Sequence, residues 1–220
     1  MSTFPGSPRL LKGAIVGIRP PSPVPTIVVF QYNPESLTRR LSPQTAGGGA
    51  AQGEALRLKG PPEETITASI VIDATDQLET GDPVATQTGV HATLAALELL
   101  LYPSAALTVA NEVLARIGIV ETVPPEAPLV LFVWGGARVL PVRLNELSIT
   151  EEAFDPSLNP ILARVSLTMR VLTYRDLGLL NPGGALFMAH QVAKEVLGAI
   201  GTARSLAPAG SPALGPGLGG

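Results

Sequence analysis

The sequence predicts an α+β protein, mainly antiparallel β, with one helix packed internally between early and late strands and a second at the C-terminal end. Three observations carry that prediction. From Ile161 to Val171 apolar and polar residues alternate with a single lapse at Leu162, Ile161, Ala163, Val165, Leu167, Met169 and Val171 falling on one face of an extended chain. Just upstream the parity changes: Leu140, Val142 and Leu144 are even, Leu147 and Ile149 odd. One strand keeps both sets on the same face only with an extra residue, so a β-bulge is expected near Asn145-Glu146. Helical spacing, in contrast, is strong in only two places, Gly89–Pro103 and the stretch from Asn181 onward.

Taken in order, Leu10–Ile18 and Thr26–Tyr32 are short apolar runs rich in β-branched residues and separated by the prolines of Pro20–Pro25. Ser42–Glu54 reads as a flexible glycine-rich loop. In the strand that follows, Ile66, Ala68, Ile70 and Ile72 share one face and Thr65, Thr67 and Ser69 the other. The helix of about residues 90–102 places Leu94, Leu97 and Leu101 on one side and stops at Pro103; a weaker helix follows over Ala105–Ile117. Leu129–Leu144 reads as two strands joined at Gly135-Gly136, where glycine supplies positive φ. Pro141 cannot donate to a ladder and is expected at an edge or a bulge. The last helix, 181–203, carries Leu186, Ala189, Val192, Ala193, Val196 and Ile200 along one stripe, and the Gly/Pro/Ala residues of 204–220 are expected to be disordered.

Composition narrows the function. The chain has 220 residues, of which 45% are hydrophobic and only 15% charged, below the roughly 25% charge of an average soluble domain. A surface so poor in charge predicts burial against other subunits. No apolar run reaches the roughly 18 residues of a membrane span, and no charged start followed by an apolar block marks a secretory signal. A net charge of −3 with scattered basic residues, Arg39-Arg40 being the tightest group, argues against nucleic acid. The absence of cysteine removes thiol chemistry, disulfides and cysteine-ligated metals.

The motifs that could carry chemistry are sparse. Thr150–Ile161 groups Glu151, Glu152 and Asp155 around Phe154, but two X-Pro steps make it a turn, where acids gather because they are solvated. Paired acids in catalysis need a partner group across a pocket and burial to shift a pKa. His91 and His190 lack metal-ligand spacing, and Asp73 and Asp76 read as a strand-end turn. The glycines at 47–49 precede no Lys-Ser/Thr, no G-x-S-x-G occurs, and Trp134 ends a buried-looking strand. No catalytic residue, cofactor site or metal site is expected.

Four blocks carry a family resemblance: FQYNPESLTRR (Phe30–Arg40), LKGPPEETITASIVIDATD (Leu58–Asp76), VHATLAALELLLYP (Val90–Pro103) and the long run from Leu129 to Leu177 containing FVWGG and TEEAFDPSLNPI. In order and spacing, from about Ile15 to His190, the chain resembles the small tube and baseplate-adaptor proteins of contractile injection systems, the phage-tail-like machines that bacteria assemble. The resemblance implies a tail-tube-like β-barrel or sandwich over residues 1–180, assembling into sixfold rings. It implies a structural subunit at the baseplate, joining the inner tube to the spike hub, or alternatively an inner-tube subunit. Its partners would be copies of itself, tube, spike or hub and other baseplate proteins, without nucleic acid and without membrane insertion. It would assemble in the bacterial cytoplasm, within a particle that is released or docked at a membrane. Many relatives carry a C-terminal peptidoglycan-binding-type module; here the last helix is followed by a Gly/Pro/Ala tail, so wall binding is not expected of this subunit.

On this reading Glu151, Glu152, Phe154, Asp155, Leu158 and Asn159 form a projecting tip that touches the ring above or below, with Phe154 as apolar anchor and the acids setting register. Two other classes compete. A wall-degrading hydrolase would use Glu151 and Asp155 as an acid pair, although the aromatic content of 4% leaves little sugar-binding platform. A monomeric β-barrel carrier of a lipid-like ligand would also suit the apolar composition.

Overall fold

The structure, a computed structural model, describes residues 11–19, 24–45, 57–116 and 127–206. The strands are β1 (Ala14–Ile18), β2 (Thr26–Val29), β3 (Leu37–Ser42), β4 (Glu63–Asp73), β5 (Leu129–Val133), β6 (Val139–Phe154) and β7 (Pro160–Val171). They form one antiparallel sheet in the order β2-β1-β5-β6-β7-β4-β3. The sheet is open, since its edge strands β2 and β3 do not pair with each other. Six flat spacings would hold those edges about 29 Å apart, at the limit of what the link Phe30–Ser36 spans when fully extended. Gln31 in that link also accepts a hydrogen bond from the Asp73 N–H at the far end of β4, 2.9 Å away. The sheet therefore curls, and its concave side holds the core.

Alternation in the sequence sets the two sides of the curl. Ile66, Ala68, Ile70 and Ile72 of β4 and Ala163, Val165, Leu167, Met169 and Val171 of β7 are all buried, as their spacing predicts. The register shift in β6 falls between Leu144 and Glu146, which puts the extra residue at Asn145 and returns Leu147 and Ile149 to the inner side. The β5–β6 hairpin closes with Trp134 N–H donating to the Arg138 carbonyl, and Gly135 takes the positive φ of 70° that the turn needs. Trp134 stacks on Phe132 at 5.8 Å between ring centroids.

Pro141 departs from expectation: β6 is an interior strand, and Pro141 is buried opposite Leu131 of β5. The register explains why this is tolerated. Its carbonyl accepts from Leu172 N–H, one step past the last β6–β7 pair, Val142–Val171. The missing donor therefore falls at the end of a ladder and leaves no rung broken.

Between β4 and β5 lie α1 (Thr75–Glu79), α2 (Pro83–Thr88), α3 (His91–Glu98) and α4 (Ala105–Arg116). Leu94 and Leu97 of α3 plug the concave side together with Leu100, whereas Leu101 is outside, because the helix ends at Glu98. No residue of α4 is buried. After β7 come α5 (Tyr174–Leu177) and α6 (Pro182–Leu206). α5 opens on a capping box between Thr173 and Asp176.

The stripe expected on α6 is not the face it buries. Phe187 joins the core and packs on Tyr174, and Lys194 reaches the buried Glu64. These contacts fix the helix's rotation and leave Val192, Val196 and Ile200 more than half exposed. The glycine-rich loop is described only at its base, where Thr45 bridges Leu58. The rest of that loop and the chain from 207 to 220 lie outside the described residues.

Candidate functional site

Two surfaces of the curl stand out by their composition and exposure. The first is the outer side of β6-β7-β4-β3. Pairing across these strands aligns Thr38, Thr67 and Thr168 with Glu146, and beside that row Ser69 and Ser166 with Ser148. A third row runs Val71, Arg164, Thr150. At one end Arg40, Thr65, Arg170 and Arg143 lie side by side, and Arg170 is offset by Glu63 and Asp176. The result is a pleated surface of short hydroxyls bordered by charge. It is flanked by two unpaired edges. β6 pairs with β5 only through Val139–Val142, so its flank from Arg143 to Phe154 takes no strand among the described residues. Among the described residues β3 pairs only with β4.

The second surface is the tip of the β6–β7 hairpin. Asp155 organises it: one carboxylate oxygen accepts from Ser157 N–H at 2.7 Å and Asn159 N–H at 2.8 Å, and the other accepts from the Asn159 amide at 2.8 Å. The Asn159 amide, with the Asn159 and Ser157 N–H groups, holds its pKa below 3.8 against a smaller opposing effect of burial. Ala153 and Leu158 carry positive φ of 53° and 66°. That geometry displays Phe154, 49% exposed, and Leu158, 79% exposed. The tip's base is held firmly: Pro160 C=O accepts from Val90 N–H at 2.8 Å, and Ile161 C=O from Ala74 N–H at 2.9 Å.

The three acids expected together on this turn are in fact separated. The β6–β7 ladder runs on through Glu151–Ala163 and Glu152–Leu162 as far as Phe154–Pro160, so Glu151 and Glu152 belong to the strand. As neighbours in a strand they point to opposite faces. Glu152 pairs with Arg164 across the ladder at 3.0 Å, and Asp155 has both oxygens engaged in its own turn. The structure thus brings Asp155 and Asn159 together and leaves Phe154 and Leu158 displayed, but it does not assemble an acid pair around a cleft.

Other candidates fall into local roles. Asp73 accepts from the Thr75 N–H and hydroxyl, fixing the start of α1. His91 is exposed at the start of α3. Among the described residues no three His, Asp or Glu side chains gather as a cation cage, and no helix is long and apolar enough to cross a membrane.

His190 lies in a groove of about 350 Å³ between α6 and the start of β4, lined by Leu41, Pro61, Pro62 and Phe187. Sequence reading missed this groove, because the residues forming it are more than 120 positions apart, as Glu64 and Lys194 are at a separation of 130. It also missed β3, whose LTRRLS run alternates too weakly to stand out. No family model matches the chain, and no curated protein matches it.

Proposed function

We propose that the chain is a structural, ring-forming subunit of a contractile injection system, placed at the baseplate where the inner tube meets the spike hub, and that it has no catalytic role. The feature that supports this reading most is the β6-β7-β4-β3 blade, whose flanks, β3 and β6 beyond Val142, take no further strand among the described residues. It holds four strands, an even number, and they alternate in direction. Copies related by rotation about an axis along the strands therefore bring β3 of one beside β6 of the next in antiparallel sense. Closure by such repetition leaves no edge exposed.

The flanks also differ in charge. β3 carries Arg40 on the outer side, and the unpaired part of β6 carries Glu146 there. Closing a barrel requires tilted strands and a stagger, and a stagger of two residues sets Arg40 beside Glu146 of the neighbouring copy. The hydroxyl rows then line one face of the ring, and the hairpin tip with Phe154 and Leu158 stands at its rim, where the next ring would sit. The motif resemblance over Ile15–His190 supports the same assignment.

Electron microscopy of particles containing the tagged chain tests it. The expected result is a sixfold ring at the tube–baseplate junction; density within the tube body instead would assign it as an inner-tube subunit. A chain that stays monomeric with the tube and hub proteins, and is absent from the particles, overturns the reading.

A further inference from the structure

We propose that His190 is a proton-operated catch: uncharged it allows α6 to lie against the sheet, and charged it drives that helix off. This inference concerns the α6 joint alone and holds whether or not the chain builds rings.

Three observations meet at this side chain. Neither ring nitrogen of His190 is exposed to solvent, and neither has a hydrogen-bond partner; the Oε1 of Gln191 beside it is in the same condition. The one fully buried carboxylate nearby, Glu64, is 4% exposed and already committed. Its Oε1 takes Arg39 of β3 at 2.6 Å, and its Oε2 takes Lys194, one turn along α6, at 3.2 Å. Both oxygens are thus engaged by other cations, and neither is hydrogen-bonded to the His190 ring. The charged groups around the ring are Lys194 and Glu195 on α6, Glu64 on β4, Arg39 on β3 and Arg138 in the β5–β6 turn. Three of these five are cations, so a proton on His190 enters a field that is already positive on balance.

A charged imidazole has two N–H donors, and burying them without acceptors is costly. Burial, and after it the Lys194 ammonium, keeps the pKa below the usual 6.5, with Glu64 pulling the other way. Once α6 lifts, water satisfies both donors, so the proton binds the released helix better than the docked one. By linkage, docking is complete above about pH 6.5 and weakens as the pH falls below that value towards the lowered pKa of the docked state. One proton gives a limiting slope of about tenfold in the opening constant per pH unit. The other histidine of the chain, His91, lies on a different element, exposed at the start of α3.

Hydrogen exchange on the intact chain between pH 5 and 7.5, corrected for the intrinsic pH dependence of exchange, tests the proposal. Protection of the α6 amides around Phe187–Lys194 should fall by severalfold towards pH 5 while β4 and β7 stay protected. His190→Gln, which cannot gain charge, should remove that pH dependence. In the unaltered protein, the His190 imidazole resonance should titrate with a midpoint below 6.5. Equal α6 protection at both ends of the range, an unchanged slope in H190Q, or a midpoint at or above 6.5 each overturns it; the exchange profile and the titration of the unaltered protein need no variant and together test it even if H190Q does not fold.

Discussion

The carbonyl oxygen of Pro160 occupies the place where a side chain on Gly89 would begin. The same oxygen accepts from Val90 N–H, so the turn between α2 and α3 is pressed onto the base of the β6–β7 hairpin. Gly89 also has φ of 55° and ψ of −131°, a conformation that L side chains rarely adopt. Gly89→Ala therefore adds backbone strain to overpacking, each in the range of about 1–3 kcal/mol. Urea unfolding of G89A should show a loss of about 2–6 kcal/mol; a loss below about 1 kcal/mol would mean the junction yields easily.

Asp155 makes a different prediction, because its contacts are local. Asp155→Ala removes the acceptor for Ser157 and Asn159, so amide exchange at those two residues should accelerate while β4 and β7 keep their protection. The pH dependence follows from the lowered pKa. The carboxylate's contribution is complete above about 3.8 and is lost as the pH falls towards the lowered folded value. Tip exchange that is constant down to pH 3 would contradict this role.

Ring closure through β3 and β6 is tested by a charge swap. Arg40→Glu should leave the thermal midpoint of the isolated chain nearly unchanged, since Arg40 is exposed, and should reduce incorporation into particles. Adding Glu146→Arg should restore incorporation if the two residues face each other across neighbouring copies. Failure of rescue would place the subunit contact elsewhere.

Glu64 holds two cations from opposite sides, so Glu64→Gln strands both. Breaking a fully buried pair costs about 3–5 kcal/mol, but the Arg39 and Lys194 side chains are 26% and 39% exposed and can swing towards water. The expected loss is about 1–3 kcal/mol by chemical denaturation, with the largest rise in exchange on α6. A neutral outcome would show that apolar packing at Phe187 alone seats the helix.

Much of this fold was legible because the strand signal is a parity signal. Ala163–Val171 alternates so cleanly that its inner face can be named without coordinates, and the change of parity at Asn145 announces the bulge. The interior position of Pro141 is not legible, because nothing in its neighbourhood says on which side of the strand its missing donor lies; Leu172, thirty-one positions away, decides that. The buried face of α6 is hidden for a related reason. Apolar spacing ranks faces by hydrophobicity, whereas the helix is turned by a charge pair with Glu64 and a ring contact with Tyr174. The tip was half legible: its turn was marked by two prolines, but the strand's persistence through Glu152 depends on pairing with β7.

The hydroxyl rows on the outer side of β7 and β4 have a mechanical consequence. Serine and threonine are under-represented among the residues that anchor one protein to another. They offer no grease and only short reach, and bulk water competes well for every hydrogen bond they make. A polymer drawn along that pleated wall would find few places to stick, so its drag would come chiefly from the arginines at the border.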